Sequence, residues 1–172
     1  MFFHTNTVNS GSMSGSNYAQ VSYYHNGNER TIGVWDGGAS IDMPVDVDEN
    51  SPYSYTSTST GSVVDERFYA PSGRSGTITG PKTVTVDYYQ QYKPTITLSG
   101  TDSSHAVNIE TRTLYGAPAA QSGIYNSPWS DWCDVGSTLT FSESTTGIPS
   151  RSTKRIVFKC KLLQHIIGGQ YV

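Results

Sequence analysis

The chain has 172 residues, 15% of them charged and 12% aromatic, with twelve tyrosines and a formal net charge of −3. That length holds one large all-β domain or two small modules, and the tyrosine content is too high for a disordered chain. The weak negative charge removes the cationic footprint of a nucleic-acid binder, and no apolar run approaches the roughly 18 residues that span a bilayer.

Residues 1–18, MFFHTNTVNSGSMSGSNY, are rich in Gly and Ser and read as a flexible N-terminal arm. They have no basic start and no apolar stretch, so they do not read as a signal peptide. Beyond them helical periodicity is absent and period-two patterns recur. Over residues 39–47, Ile41, Met43, Val45 and Val47 alternate with Ser40, Asp42, Pro44 and Asp46, and the proline marks an edge or a bulge. The longest run is 83–100, where Val84, Val86, Tyr88, Tyr92, Ile96 and Leu98 share one phase. At about 3.3 Å per residue it exceeds an ordinary strand, and Pro94 supplies a break. It reads as the last strand of one module running into the first of the next, which places the modules at 19–91 and 92–172. Further strands are expected over 137–143, with Leu139 and Phe141 on one face, and over 154–163, a phase that turns Cys160 inward. The expected fold is all-β: two tandem antiparallel modules joined by a continuous strand.

An internal repeat is suggested by Trp35-Asp36-Gly37-Gly38 and Trp132-Cys133-Asp134-Val135-Gly136. In that alignment Ile41 matches Leu139, Met43 matches Phe141, and residues 66–70 match 154–158. The Asp would accept a backbone N–H in an Asx-turn, the Gly would supply a positive φ, and the Trp would close one end of the core. With "TITGPKTVTVDYYQQY" at 77–92, these motifs resemble the tandem β-rich repeats of prokaryotic, archaeal-type surface proteins, related to divergent internalin-type B-repeats. The resemblance covers about 19–160 on short motifs. It implies an immunoglobulin-like or β-grasp-like module and an extracellular stalk, and it carries no catalytic residue. The second copy departs from it, lacking a "TGPKTVTVDYY" and ending in "LLQHIIGGQYV" (162–172). That tail either closes its own module or is donated to a neighbouring copy.

Three residue sets are candidates for chemistry. Cys133 and Cys160 form either a disulfide, worth about 3–4 kcal/mol in the loop-closure model, or buried thiols. Asp42, Asp46, Asp48 and Glu49 offer hard oxygen ligands for calcium, or simply a solvated face. Tyr125, Trp129 and Trp132, in a loop rich in turn residues, offer rings for stacking on a glycan, or ordinary packing. The four histidines stand in unrelated contexts, and neither a nucleophile elbow nor a phosphate-cradling loop occurs, so no enzyme is expected. The expected role is an extracellular structural or adhesive repeat unit of a cell-surface protein, surface layer or fibre. Its partners would be other copies or neighbouring surface modules, and no cofactor is expected, calcium aside. The alternative is a carbohydrate-binding module.

Overall fold

The computed structural model describes residues 1–9, 11–36, 45–97, 105–119, 123–125, 128–145 and 156–159, and among these there is no helix. The chain divides into two compact units, Met1–Gln91 and Tyr92–Val172.

The first unit contains β1 (Phe2–Thr7), β2 (Ala19–His25), β3 (Asn28–Val34), β4 (Pro52–Tyr55), β5 (Glu66–Tyr69), β6 (Ser75–Thr77) and β7 (Thr83–Tyr92). Alternation builds a four-stranded antiparallel sheet in the order β3-β2-β4-β6, with Ala19, Val21 and Tyr23 turned inward. A second sheet pairs β7 with both β1 and β5, and between the layers lie Phe3, Val21, Val34, Tyr55, Phe68, Ile78, Val86 and Tyr88. This is a β-sandwich arrangement, with polar residues alternating outward along β7.

The N-terminal residues are not a flexible arm, contrary to their composition. β1 runs parallel to β7 over six register pairs from Phe2↔Thr83 to Thr7↔Tyr88, so this sheet is not purely antiparallel. Phe3 is 2% exposed, with its ring 5.8 Å from those of Tyr23 and Tyr53 and 6.0 Å from that of Tyr55. Met13 is buried in the same core. Hydrophobic anchoring of two residues overrides a Gly/Ser-rich composition, because each buried side chain contributes more than its local backbone costs to order.

Two tyrosines tie the layers together. Tyr55 of β4 shares its hydroxyl proton between the carbonyls of His4 (3.1 Å) and Val84 (3.0 Å), on the two parallel strands of the other sheet. In return, Tyr88 of β7 donates to the Thr56 carbonyl just beyond β4. Burial pushes the Tyr88 phenol up to about 12, and pushes that of Tyr55 higher still.

The second unit contains β8 (Thr95–Ile96), β9 (His105–Thr111), β10 (Thr113–Leu114), β11 (Ala117–Pro118), β12 (Gly123–Tyr125), β13 (Trp129–Ser130), β14 (Cys133–Asp134), β15 (Thr138–Thr145) and β16 (Ile156–Lys159). Its main sheet has the order β12-β9-β15-β16, with β8 pairing β13 and β10 pairing β11. Ile96, Val107, Ile109, Trp129, Cys133 and Leu139 form its core. The 83–100 run is divided at the proline: β7 ends at Tyr92, and β8 is a separate short strand. Of the strand expected over 39–47, residues 45–48 are irregular and 39–44 lie outside the described residues. Thr140 is buried alongside Leu139, at the point where the β15–β9 register shifts between Thr140 and Phe141.

Two outcomes test this account. Phe3→Ala should cost about 3–5 kcal/mol in urea unfolding, whereas an arm residue would cost nothing measurable. The raised phenols bind their protons more tightly folded than unfolded. Their stabilisation is therefore complete below the ordinary value near 10 and falls as pH rises from there through about 12. Circular dichroism should show unfolding within that window, and Tyr88→Phe should remove its share of the pH dependence.

Candidate functional site

The two units share a local device that the Trp-based alignment misplaces. β2 and β3 are joined by the two-residue turn Asn26-Gly27, with φ of 52° and 73°. β10 and β11 are joined by Tyr115-Gly116, at 56° and 73°. Positive φ at both positions is the turn whose twist matches a hairpin. Each turn is held by an aspartate from further along the chain. Asp48 accepts from the N–H groups of Asn26 and Gly27, both at 2.8 Å, and Asp134 accepts from Gly116 N–H at 2.7 Å. Each aspartate begins the same bend: Ser51 Oγ donates to the Asp48 carbonyl and Ser137 Oγ to that of Asp134, both at 2.6 Å. The third residue of each bend has positive φ, Asn50 at 62° and Gly136 at 81°. The central strand of each sheet follows at once.

The repeat therefore aligns Asp48-Glu49-Asn50-Ser51 with Asp134-Val135-Gly136-Ser137, and β4 with the start of β15. Asp36, the expected counterpart of Asp134, instead accepts from Thr7 N–H at 2.9 Å and anchors the end of β1. Residues 66–70 include β5, which pairs β7, whereas β16 pairs β15 and so takes the place of β6.

The three predicted residue sets do not converge into sites. Trp129 is 6% exposed, and its indole packs in the core with the Tyr125 ring 6.3 Å away and the Arg112 guanidinium 5.9 Å above it. Its place in β13, paired to β8 at Trp129↔Ile96, turns it inward, so it presents no stacking face. Trp132 is partly exposed and carries Lys93 Nζ at 5.8 Å over its ring. Buried Arg112 organises this segment: Nη1 bonds the Trp132 carbonyl at 3.2 Å and pairs with Asp131 Oδ2. In the acidic run both Asp48 oxygens are taken by the Asn26-Gly27 turn, Asp46 and Glu49 are exposed, and Asp42 lies outside the described residues. No three His, Cys, Asp or Glu side chains come together among the described residues. Cys133 is fully buried, Cys160 lies outside the described residues, and no disulfide is seen among them.

A surface that sequence reasoning missed lies on the outer face of the first sheet. Register places Ser22 opposite both Thr31 and Ser54, and Ser54 opposite Ser75. One hydroxyl from each strand thus lines up across the sheet at about 4.8 Å per strand. The Ser22 and Thr31 oxygens are 3.5 Å apart. Thr31, Ser22 and Ser54 of this row line an open groove of roughly 530 Å³, together with Gln20, Thr56 and Arg74 among others. Among the described residues no carboxylate lines it. Arg74 Nε is buried without a hydrogen-bond partner, while the Arg74 carbonyl holds Tyr55 N–H at 2.7 Å. At Gly33, opposite Gln20, the ring of Tyr18 lies so close that a Cβ would come within 2.9 Å of it. The tilted rings of Tyr18 and Trp35 pack there with centroids 4.9 Å apart, and Trp35 Nε1 donates to the Gly15 carbonyl. The signal in the sequence was the run of small hydroxyls at alternate positions, which reads equally as ordinary strand surface. No family model, curated protein or solved structure matches the chain.

The clamp makes two predictions. Hydrogen bonds from the turn hold the Asp48 carboxyl below its ordinary 3.8. Its stabilisation is thus present above that value and lost as pH falls through the lower folded one. The Asn26 and Gly27 amide resonances should titrate with a midpoint below 3.8. Asp134→Asn should cost about 1–3 kcal/mol in denaturant unfolding, because a buried charge-assisted bond is replaced by a neutral one.

Proposed function

We propose that the chain is an extracellular structural or adhesive repeat unit of a cell-surface protein, surface layer or fibre. The observation that carries this reading is the same sheet built twice in succession. β3-β2-β4-β6 and β12-β9-β15-β16 follow the same chain order and carry the same aspartate-held turn. Consecutive copies of one unit, each with its own core, suit a chain whose work is to extend and to present surface. The low charge and hydroxyl-rich outer faces support lateral packing between copies, and the role proposed is non-enzymatic. Joining by strand addition would act at the end strands of the sheets. In the first unit one of these, β3, carries Glu29 and Arg30, charges that discourage pairing. Export, a Cys133–Cys160 disulfide and calcium binding belong to the same proposal.

Negative-stain electron microscopy over a concentration series, with and without calcium, tests it. Ordered filaments or sheets are the expected outcome. Dispersed monomers at every concentration would remove self-assembly from the proposal and leave a module that acts only within a longer chain or on a ligand.

A further inference from the structure

From the Asn26-Gly27 turn we infer a site of self-modification: Asn26 is the asparagine at which this chain deamidates, and the Asp48 clamp delays the reaction. Asn-Gly occurs once in the sequence. In that pair the backbone nitrogen after the asparagine is least shielded, because glycine has no Cβ. Both residues are exposed, and the space into which a Cβ of Gly27 would point is empty to 4 Å, so solvent reaches the turn. The matching turn of the second unit, Tyr115-Gly116, has the same backbone form but no side-chain amide to react.

The reaction needs only water. The Gly27 nitrogen attacks Cγ of Asn26 and loses its proton to solvent. A five-membered succinimide closes, and the side-chain nitrogen takes a proton from solvent and leaves as ammonia. Water then opens the ring at one of its two carbonyls, leaving aspartate or isoaspartate. In the folded hairpin both reacting groups are held back. Asp48 Oδ2 accepts from Gly27 N–H at 2.8 Å, so the proton that must leave is bonded to a carboxylate whose charge also opposes an anionic nitrogen. Asn26 Nδ2 lies 3.0 Å from His25 Nε2, which fixes the amide, and the Asn28 side chain donates to the Asn26 carbonyl at 2.9 Å. Modification therefore waits on opening of the hairpin. It is also one-way. Isoaspartate lengthens the backbone by a methylene in a turn that admits two residues, and aspartate sets a second carboxylate near that of Asp48. Either product weakens the clamp and with it the hold of β2 on β3, an end strand of its sheet. The site acts whether or not the chain assembles.

The test is incubation of the full chain in warm, mildly alkaline buffer, with and without urea, followed by peptide mapping and enzymatic methylation of isoaspartyl groups. The expected result is isoaspartate at Asn26 ahead of every other asparagine, forming more slowly in native buffer than in urea by roughly tenfold or more. Asp48→Asn should speed it about tenfold in native buffer, the worth of one charged hydrogen bond, and leave the rate in urea unchanged. Asn26→Gln, whose longer side chain would have to close a six-membered ring, should remove the modification. Should Asp48→Asn not fold, the comparison of native buffer with urea for the unaltered chain still decides. The purified isoaspartyl chain should exchange its β3 amides faster than the unmodified one. Isoaspartate arising first at another asparagine, equal rates with and without urea, a folded Asp48→Asn variant no faster than the unaltered chain, or unchanged β3 exchange would overturn the inference.

Discussion

Tyr55 and Tyr88 reach across the core of the first unit in opposite directions, and much else in that unit follows from the requirement that both hydroxyls find partners. A buried phenol is favourable only where its ring packs and its O–H is satisfied. Tyr55 meets this by bonding carbonyls on two strands at once, His4 of β1 and Val84 of β7. β1 must therefore lie beside β7, which brings Phe3 in among Tyr23, Tyr53 and Tyr55. Tyr88 meets it by bonding the Thr56 carbonyl, fixing the chain where it leaves β4 and enters the groove lining. The same cross-ties that hold the layers also set the position of the outer surface.

Repetition in this chain is written in backbone requirements rather than in large side chains. An aspartate that must reach a two-residue turn, a serine that closes the bend behind it and a residue with positive φ recur at 48–51 and 134–137. The tryptophans, the most visible feature in the sequence, do different jobs. Trp35 packs at a tilt against Tyr18, both half-buried, Trp129 is core, and Trp132 is partly exposed beneath Lys93. Aligning on them placed Asp36 where Asp48 belongs. A bend can be repeated while the packing around it changes, because its hydrogen bonds are local and packing is not.

The candidate sites show the same division. An aromatic loop framed by turn residues suggested exposed rings, yet pairing of β13 to β8 turned Trp129 inward. A run of four acids suggested a cation site, yet Asp48 is committed to amide donors twenty-two and twenty-one residues away. The groove, in contrast, draws single, unremarked residues from three strands. Ser22, Thr31 and Ser54 have no mutual spacing in the sequence that marks them, and only sheet register makes them neighbours.

The sequence by itself determined the all-β class, through period-two alternation and the absence of helical periodicity, and it placed the break at Pro94, where a ring without an N–H cannot continue a ladder. These are local properties, carried by each residue and its near neighbours. Tertiary structure alone decided that residues 2–7 are a parallel strand rather than an arm, that Trp129 is core, that the repeat begins at Asp48, and that Thr31, Ser22, Ser54 and Ser75 share one face. Each of those outcomes depends on which strands lie side by side. That choice is settled by burying the whole apolar set at once and satisfying every polar group within it, which no short stretch of sequence can specify.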